Sequence, residues 1–429
     1  MIRADARLRA ILVNFNGGEL LERAVMSLKA SQWPGELDVV VVDNASTDGS
    51  LAAIENVTDV HIIHNESNDG FSANNLGIAD LLGDEISIDV AEPEIVALLN
   101  PDAFVRPEAL RRLAAELDPA KKMGVASPTI VFDRPFVECE ISTNGDPVLI
   151  DEISCGGRNI AAQCHGVDGA ERFPGDLGPV WRCPNGSMLR IPIAALGDRI
   201  IVSVARGSGV IDGQGVAAGD DYEIDVATRR THRIVQNAGI FVDAVGVGHS
   251  RGFAQRIEDS LGPAAPLWTG AAVVFHADFF REVGGFDPEY FLYYEDVELG
   301  LRGLAHGWTT LHVPDAIVEH RHSDRSVQGT ELVEVLQHRN RLLTQVRHGS
   351  AGDVVKTFGR ASLTPLSIAA SAVRSPGERK ERLRLARWRA QAFGDAVKGL
   401  PKARQARGEI SRDRNVDTDE VRRISRRRR

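Results

Sequence analysis

The sequence predicts an α/β fold in which a parallel sheet is covered on both faces. Two observations predict it. β-Branched runs alternate with apolar residues at helical spacing through the first 130 residues, and each predicted strand is followed closely by Asn or Asp. A third narrows the ligand. No G-x-G-x-x-G follows the first strand and no G-x-x-x-x-G-K-[ST] occurs, which argues against a dinucleotide dehydrogenase and a P-loop NTPase.

Residues 8–15 form a short apolar run, and Leu20, Leu21, Ala24, Val25 and Leu28 follow at helical spacing. Residues 37–42 and 60–63 read as buried strands, residues 71–82 have helical character, and 95–99 read as another buried strand. Pro107 sits where a first helical turn tolerates proline and opens a helix through Leu117. From Cys139 to Gln236 short strand-like runs replace the helical period, giving a β-rich insertion. Gly207, Gly209, Gly213, Gly215 and Gly219 read there as turns. The βα pattern returns with residues 267–275, a Gly284-Gly285 turn and a helix opening near Asp296, with Val297, Leu301 and Leu304 on one face. Residues 332–346 are helical, Pro365 interrupts the next segment, and a basic tail begins after Pro376.

A length of 429 residues exceeds one ordinary domain, and 43% hydrophobic with 26% charged residues is a soluble globular balance. No apolar run approaches the roughly 20 residues of a spanning helix, and Asp5, Arg7 and Arg9 leave no secretory h-region. Four cysteines exclude a disulfide scaffold and fit a reducing compartment, so the chain is expected to be cytoplasmic. The net charge of −10 is uneven: residues 374–429 hold 19 Lys/Arg against 8 Asp/Glu. A basic tail on an acidic body suits an anionic partner, a membrane surface or nucleic acid, or else is a solvated terminus.

In an open parallel sheet the carboxyl ends of the strands line one crevice. Asn14 and Asn16 follow the first strand, Asp43 and Asn44 the second, Asn65 and Asn68 the third, Asn100 and Asp102 the fourth. Singly, such residues are turns or helix caps. In series they make an acceptor-rich site.

These residues resemble a family. Val42-Asp43-Asn44-Ala45-Ser46-Thr47-Asp48-Gly49-Ser50 is similar to the second-strand motif of inverting family-two glycosyltransferases of the GT-A fold. Asn68-Asp69-Gly70-Phe71 with Asn74-Asn75-Leu76-Gly77 resembles their N-x-G-F…N-x-G loop, and Leu99-Asn100-Pro101-Asp102 their variant D-x-D metal motif. Gly284-Gly285-Phe286-Asp287 with Glu295-Asp296-Val297-Glu298-Leu299 resembles G-G-F-D…E-D-x-x-L. His320-Arg321-His322-Ser323 with Arg339-Asn340 resembles the H-x-x-S…R-N ending of the bacterial rhamnosyl- and galactofuranosyltransferase branch.

The resemblance implies a GT-A, Rossmann-like mixed sheet; the β-rich insertion and the helical basic tail depart from the family's minimal pattern. Together these readings divide the chain into a nucleotide-sugar-binding half (1–138), the insertion (139–236), an acceptor-binding half (237–348) and a C-terminal extension (349–429). The resemblance implies a divalent metal, Mg2+ or Mn2+, held by Asp102 and His320 against the departing diphosphate. Asn14, Asn16, Asp43, Asn44, Asn68, Gly70, Asn75 and Asn100 would bind the donor. Asp296 would be the base that deprotonates the acceptor, with Glu295 orienting it. Asp296 is equally a preferred helix cap.

Trp268, Thr269 and Gly270 would flank the sugar, although Trp268 also reads as core. The expected partners are a nucleotide-diphosphate sugar, with rhamnose on thymidine diphosphate first and galactofuranose on uridine diphosphate next, and a lipid-linked or glycan acceptor. Nucleic acid is not expected. An anionic membrane would be met by a basic helix whose Leu385, Trp388 and Ala392 share a face, unless that face packs on the protein itself. A non-catalytic carbohydrate-binding relative is the alternative of another class. Cys139, Cys155, Cys164 and Cys183 lie close in sequence but lack the paired spacing of structural zinc.

Overall fold

The structure is a computed structural model. It describes the chain apart from residues 1–5, 144, 176–177, 196, 260, 262–263, 322–329, 375–378 and 427–429. His322 and Ser323 of the predicted motif, and Pro376 at the start of the tail, lie outside the described residues.

The predicted strands form where their β-branched runs stand: β1 (Leu8–Asn14), β2 (Leu37–Asn44), β3 (Val60–Asn65) and β4 (Ile95–Leu99). They are followed by β5 (Ala103–Val105), β6 (Met123–Phe132), β7 (Ala272–His276) and β8 (Thr309–His320). Hydrogen bonding orders them β3-β2-β1-β4-β7-β6-β8-β5. β1 to β4 are parallel, whereas β7 runs antiparallel to β4 and β8 antiparallel to β5. The sheet is therefore mixed, and parallel only over its first half.

Alternate side chains of each strand serve opposite faces. Ala10 and Leu12 of β1 and Val39 and Val41 of β2 pack with Leu21, Ala24, Val25 and Leu28 of helix α1 (Gly18–Lys29). Ile11, Val40 and Val42 pack on the other side with Trp268, Phe275, Phe279 and Phe280. One charge sits inside this pattern. Arg9 is fully buried on β1 and grips Asp80 bidentately, at 2.7 and 2.8 Å, while also donating to the carbonyls of Gly77 and Ala91.

The helix expected over residues 71–82 is instead a chain of single turns, Gly70–Ala73, Asn74–Gly77 and Ala79–Leu82. Its asparagines bond to backbone away from a helical ladder, Asn74 to the Phe71 carbonyl and Asn75 to Phe286. The helix opened by Pro107 is α2 (Ala109–Ala115). α3 (Ala277–Val283) and α4 (Glu295–Ala305) follow β7. Val297, Leu301 and Leu304 of α4 are buried together with Leu267 and Val421.

The C-terminal region is helical: α5 (Glu331–His348), α6 (Ala351–Arg374), α7 (Arg379–Asp413) and α8 (Thr418–Ser425). Pro365 lies inside α6 and does not interrupt it. A proline removes one ladder bond, and lengthwise packing of α6 on α7 keeps the helix continuous. Ala396 and Ala403 of α7 are buried against Leu342, Leu343 and Val346 of α5.

Two compact units result. The first comprises Met1–Ile130, Asn237–Arg251 and Leu261–Arg429, and thus includes the C-terminal helices. The second comprises Val131–Gln236 and Gly252–Ser260. It is β-rich: a five-stranded and a six-stranded sheet enclose a core that includes Ile141, Ile150, Ile191 and Ile224. Gly207, Gly213 and Gly219 turn between strands, whereas Gly209 and Gly215 lie within them. Cys139, Cys164 and Cys183 are core members there, and burial pushes each thiol up.

Candidate active site

The parallel register places Asn14 opposite Asp43 and Asn44 opposite Asn65, so the polar strand ends converge on one edge. Several of them hold one another. The Asn14 carboxamide is buried and donates to Asp43 Oδ1 (3.2 Å), Ser46 Oγ (2.9 Å) and Ser50 Oγ (2.8 Å). It therefore orients Asp43. Asn16 is exposed with φ of 55°, and its Oδ1 accepts from the Thr47 amide at 2.8 Å. Asn44 is buried at a node, donating to Asn68 Oδ1 (3.1 Å) and the Gly70 carbonyl (3.0 Å) and accepting from Asn65 (2.8 Å).

That node fixes the loop that meets the second half of the site. Gly70 has φ of +64°, and a Cβ there would stand 2.1 Å from the Phe291 carbonyl oxygen. The adjacent Phe71 amide donates to the same oxygen at 2.7 Å. Asn75 forms a two-way pair with Phe286, donating to its carbonyl and accepting from its amide, both at 2.8 Å. Asn75 thus locks the Gly284-Gly285-Phe286 turn.

The segment between Phe291 and Tyr294 departs from ordinary backbone. Phe291, Tyr293 and Tyr294 all have positive φ, at 59°, 68° and 70°. Non-glycine residues in this region cost of order 1–3 kcal/mol each and persist when their surroundings over-determine them. Asn340, fully buried on α5, supplies that restraint. Its Nδ2 lies 2.8, 2.9 and 2.7 Å from the carbonyls of Tyr290, Leu292 and Tyr293. Arg339 donates to the Glu289 carbonyl. Arg347 is paired with Asp287 (2.6 Å) and Glu289 (2.9 Å), and Arg302 donates to the carbonyls of Val283 (2.9 Å) and Gly285 (2.7 Å). Burial pushes the Glu298 carboxyl up, but the Arg302 and Arg347 guanidiniums and the hydrogen bond with His348 outweigh it and hold Glu298 well below the usual carboxylate range. Arg302, Glu298 and Arg347 were not read as site residues. Only the Arg339-Asn340 pair and the Glu298 motif position pointed towards them.

This clamped loop delivers Glu295 and Asp296 to the first turn of α4. Asp296 is not the cap, because Tyr294 holds that position. Its Oδ2 accepts from the Gly270 amide at 3.1 Å and its Oδ1 from the Val297 amide at 2.7 Å. Burial nevertheless raises its pKa above the ordinary aspartate value. Glu295 is buried, its Oε2 has no partner among the described residues, and burial together with the Asp296 charge pushes its pKa well up. Asp296 lines a cavity of about 270 Å³ with Tyr293, Tyr294, Gln337, His338 and Arg341. Arg341 has its Nη1 3.4 Å from the Val245 carbonyl and its Nε without a partner among the described residues.

Trp268 is fully buried, in edge contact with Phe275 (5.1 Å) and Phe286 (6.3 Å), so it is core and offers no face to a sugar. Thr269 is half-buried beside it. Gly270 and Ala271 tie the two halves of the site together. The Gly270 amide binds Asp296, and the next residue's carbonyl accepts from the Asn100 amide at 3.0 Å. Asn100 and Asp102 are half-buried at the end of β4. Asp102 Oδ1 lies 3.0 Å and Asn100 Nδ2 3.5 Å from His320 Nε2, brought there by the antiparallel pairing of Ala103 with His320.

Comparisons with known proteins place the chain among glycosyltransferases. The sequence description "Glycosyl transferase family 2" matches residues 10–150, and "Glycosyl transferase family group 2" matches residues 225–342. The chain is 27% identical over 321 residues to the N-acetylglucosaminyl-diphospho-decaprenol L-rhamnosyltransferase of Mycobacterium tuberculosis, covering 73% of this chain and 75% of that protein. Among solved structures it is similar to the mannosyltransferase PcManGT from Pyrobaculum calidifontis, at 14% identity and TM-score 0.42, over 92% of this chain and 87% of that one. It is also similar to S. aureus TarS 1-349, at 13% identity and TM-score 0.38, over 98% and 90% of the two chains. The two family matches and the rhamnosyltransferase relative, on a mixed α/β sheet, identify the chain as a family-two glycosyltransferase of the GT-A fold.

Proposed function

We propose that the chain transfers a single sugar with inversion, rhamnose from thymidine diphosphate rhamnose, to an acceptor whose hydroxyl is carried on a lipid-linked diphosphate glycan. The observation that carries the reading is the pairing of Gly270 and Ala271, which sets the Asp296 carboxylate and the Asn100-Pro101-Asp102 edge side by side. The sugar and acceptor follow the relative's name, at 27% identity.

A divalent metal fits the Asp102 edge. Asp102 Oδ1 and His320 Nε2, 3.0 Å apart, would be the groups of this chain that hold it. No group of three His, Cys, Asp or Glu side chains suited to a metal occurs among the described residues, so donor oxygens and water would complete the shell. Such an ion, when bound, supplies positive charge to the departing diphosphate.

The chain's own residues supply the rest. Asp43, held by Asn14, faces the nucleotide. The acceptor enters the cavity beside Asp296, and its hydroxyl oxygen attacks the anomeric carbon as the bond from that carbon to the diphosphate oxygen breaks. Asp296 takes the hydroxyl proton, a role for which a raised pKa makes it a stronger base. Burial and the Asp296 charge favour the protonated form of Glu295 beside it. Arg341 places a positive charge in the acceptor cavity, which suits an acceptor bearing an anionic diphosphate.

The test is transfer from a panel of nucleotide sugars to a water-soluble, short-chain lipid diphosphate N-acetylglucosamine. Thymidine diphosphate rhamnose should be the best donor and the product linkage inverted. Preference for a uridine diphosphate sugar, or a retained linkage, would sink the reading.

A further inference from the structure

We propose that the outward face of α6 is a docking surface for the headgroup region of an anionic membrane. The inference rests on the reading that the acceptor is lipid-linked. It moves the membrane contact away from the Leu385, Trp388 and Ala392 face of α7, because Ala392 is fully buried and its helix packs along α5 and α6.

Val373 (76% exposed), Val355 (71%), Leu366 (68%) and Leu363 (64%) are the four most exposed large hydrophobic side chains among the described residues, and all four belong to α6. At about 100° per residue, Val355, Leu366 and Val373 fall within roughly 20° of one another, and Leu363 lies on the edge of the same stripe. Asp353, Thr357 and Ala372, on the opposite side, are buried. α6 is therefore apolar away from its own core, and a face of that kind is covered by a partner.

Charge selects the partner. The chain carries −10 overall, yet the only acid on α6 is Asp353, which is buried and paired with Arg422 and Arg426, both at 2.7 Å. Exposed Lys356 and Arg360 lie beyond the Leu363 edge of the stripe, about 20° and 60° further round from Leu363. Arg382 donates to Ser371 Oγ at 3.0 Å and ties the start of α7 to the end of α6. Those first turns of α7 expose Arg379, Lys380, Arg384 and Arg387 beside a single exposed acid, Glu381. A symmetric dimer through this stripe would bring the two basic rims together. An anionic headgroup layer accepts both the apolar stripe and the rim. No helix among the described residues is long and apolar enough to cross a membrane, so α6 lies on the surface and does not span it.

The test uses the full chain and its Leu363→Asp/Leu366→Asp variant, whose substituted residues are exposed and outside the catalytic site. The parent should sediment with phosphatidylglycerol-containing vesicles at low salt and much less with purely zwitterionic ones. The variant should partition at least about tenfold more weakly. Both should transfer sugar equally to the water-soluble acceptor. Equal sedimentation of parent and variant overturns the proposal, as does a parent dimer in light scattering that the variant abolishes without any vesicle binding. Loss of transfer to the soluble acceptor in both proteins would instead count against the acceptor reading on which the proposal rests.

Discussion

Asn340 Nδ2 lies 2.7 Å from the Tyr293 carbonyl, two residues before the helix that carries Asp296. The contact joins a fully buried carboxamide to a backbone with three left-handed residues, and it holds the turn that leads into the helix bearing Asp296. Asn340→Ala leaves buried carbonyls without their donor, a loss of about 1–3 kcal/mol. Thermal unfolding should move down accordingly. In the folded enzyme kcat should fall while KM for the nucleotide sugar changes little, because the donor loops are untouched. A purely structural role would lower stability and leave kcat per folded molecule intact.

The two adjacent carboxyls differ in how they respond to pH. Glu295 holds its proton more tightly folded than unfolded, so its contribution to stability is present at acid pH. That contribution is lost as pH rises above its ordinary value of 4.5. Glu295→Gln keeps the neutral shape at every pH. The variant should match the parent in melting temperature near about pH 4 and exceed it increasingly towards about pH 8. A variant less stable than the parent at alkaline pH would show that Glu295 is ionised and paired.

Much of this arrangement is legible in the sequence, and the illegible parts share a cause. The first four strands and the Asn and Asp at their ends follow from local runs. The antiparallel β7 and β8 do not, since their partners lie far away in the chain: Val274 of β7 pairs with Ala97 and Ala126, and His320 of β8 with Ala103. Arg9 stands in a run that reads as apolar and is admitted only because Asp80 meets it. Asn14, Asn44 and Asn75 read as ligand residues but satisfy the protein's own backbone and side chains. Residue type announces hydrogen-bonding capacity, and only packing decides which partner receives it. Trp268 shows the same for aromatic residues: burial decides that it is core.

Asp102 and His320 should hold a metal without needing turnover to show it. Mn2+ binding, followed by electron paramagnetic resonance in the presence of the nucleoside diphosphate, should be abolished by Asp102→Ala and weakened by His320→Ala. Chelation with EDTA should stop transfer, and Mg2+ or Mn2+ should restore it. Full transfer in EDTA would remove the metal from the account.

Arg341 shares the cavity of Asp296. Arg341→Ala should raise KM for a diphosphate-bearing acceptor about tenfold or more, the scale of one charge-assisted hydrogen bond. KM for the donor should not move. An unchanged acceptor KM would place the diphosphate elsewhere.

The most direct test compares transfer rates of Asp296→Asn and Glu295→Gln with the parent at saturating donor and acceptor. Asn keeps the shape of Asp296 and, through its single carboxamide oxygen, one of the two backbone amide contacts that Asp296 accepts, but it cannot take a proton. Asp296→Asn should therefore lose about 10²–10⁴-fold in rate while binding the nucleotide sugar normally. Glu295→Gln should retain most of its activity. A crippled Glu295→Gln beside an active Asp296→Asn would contradict the assignment of the base.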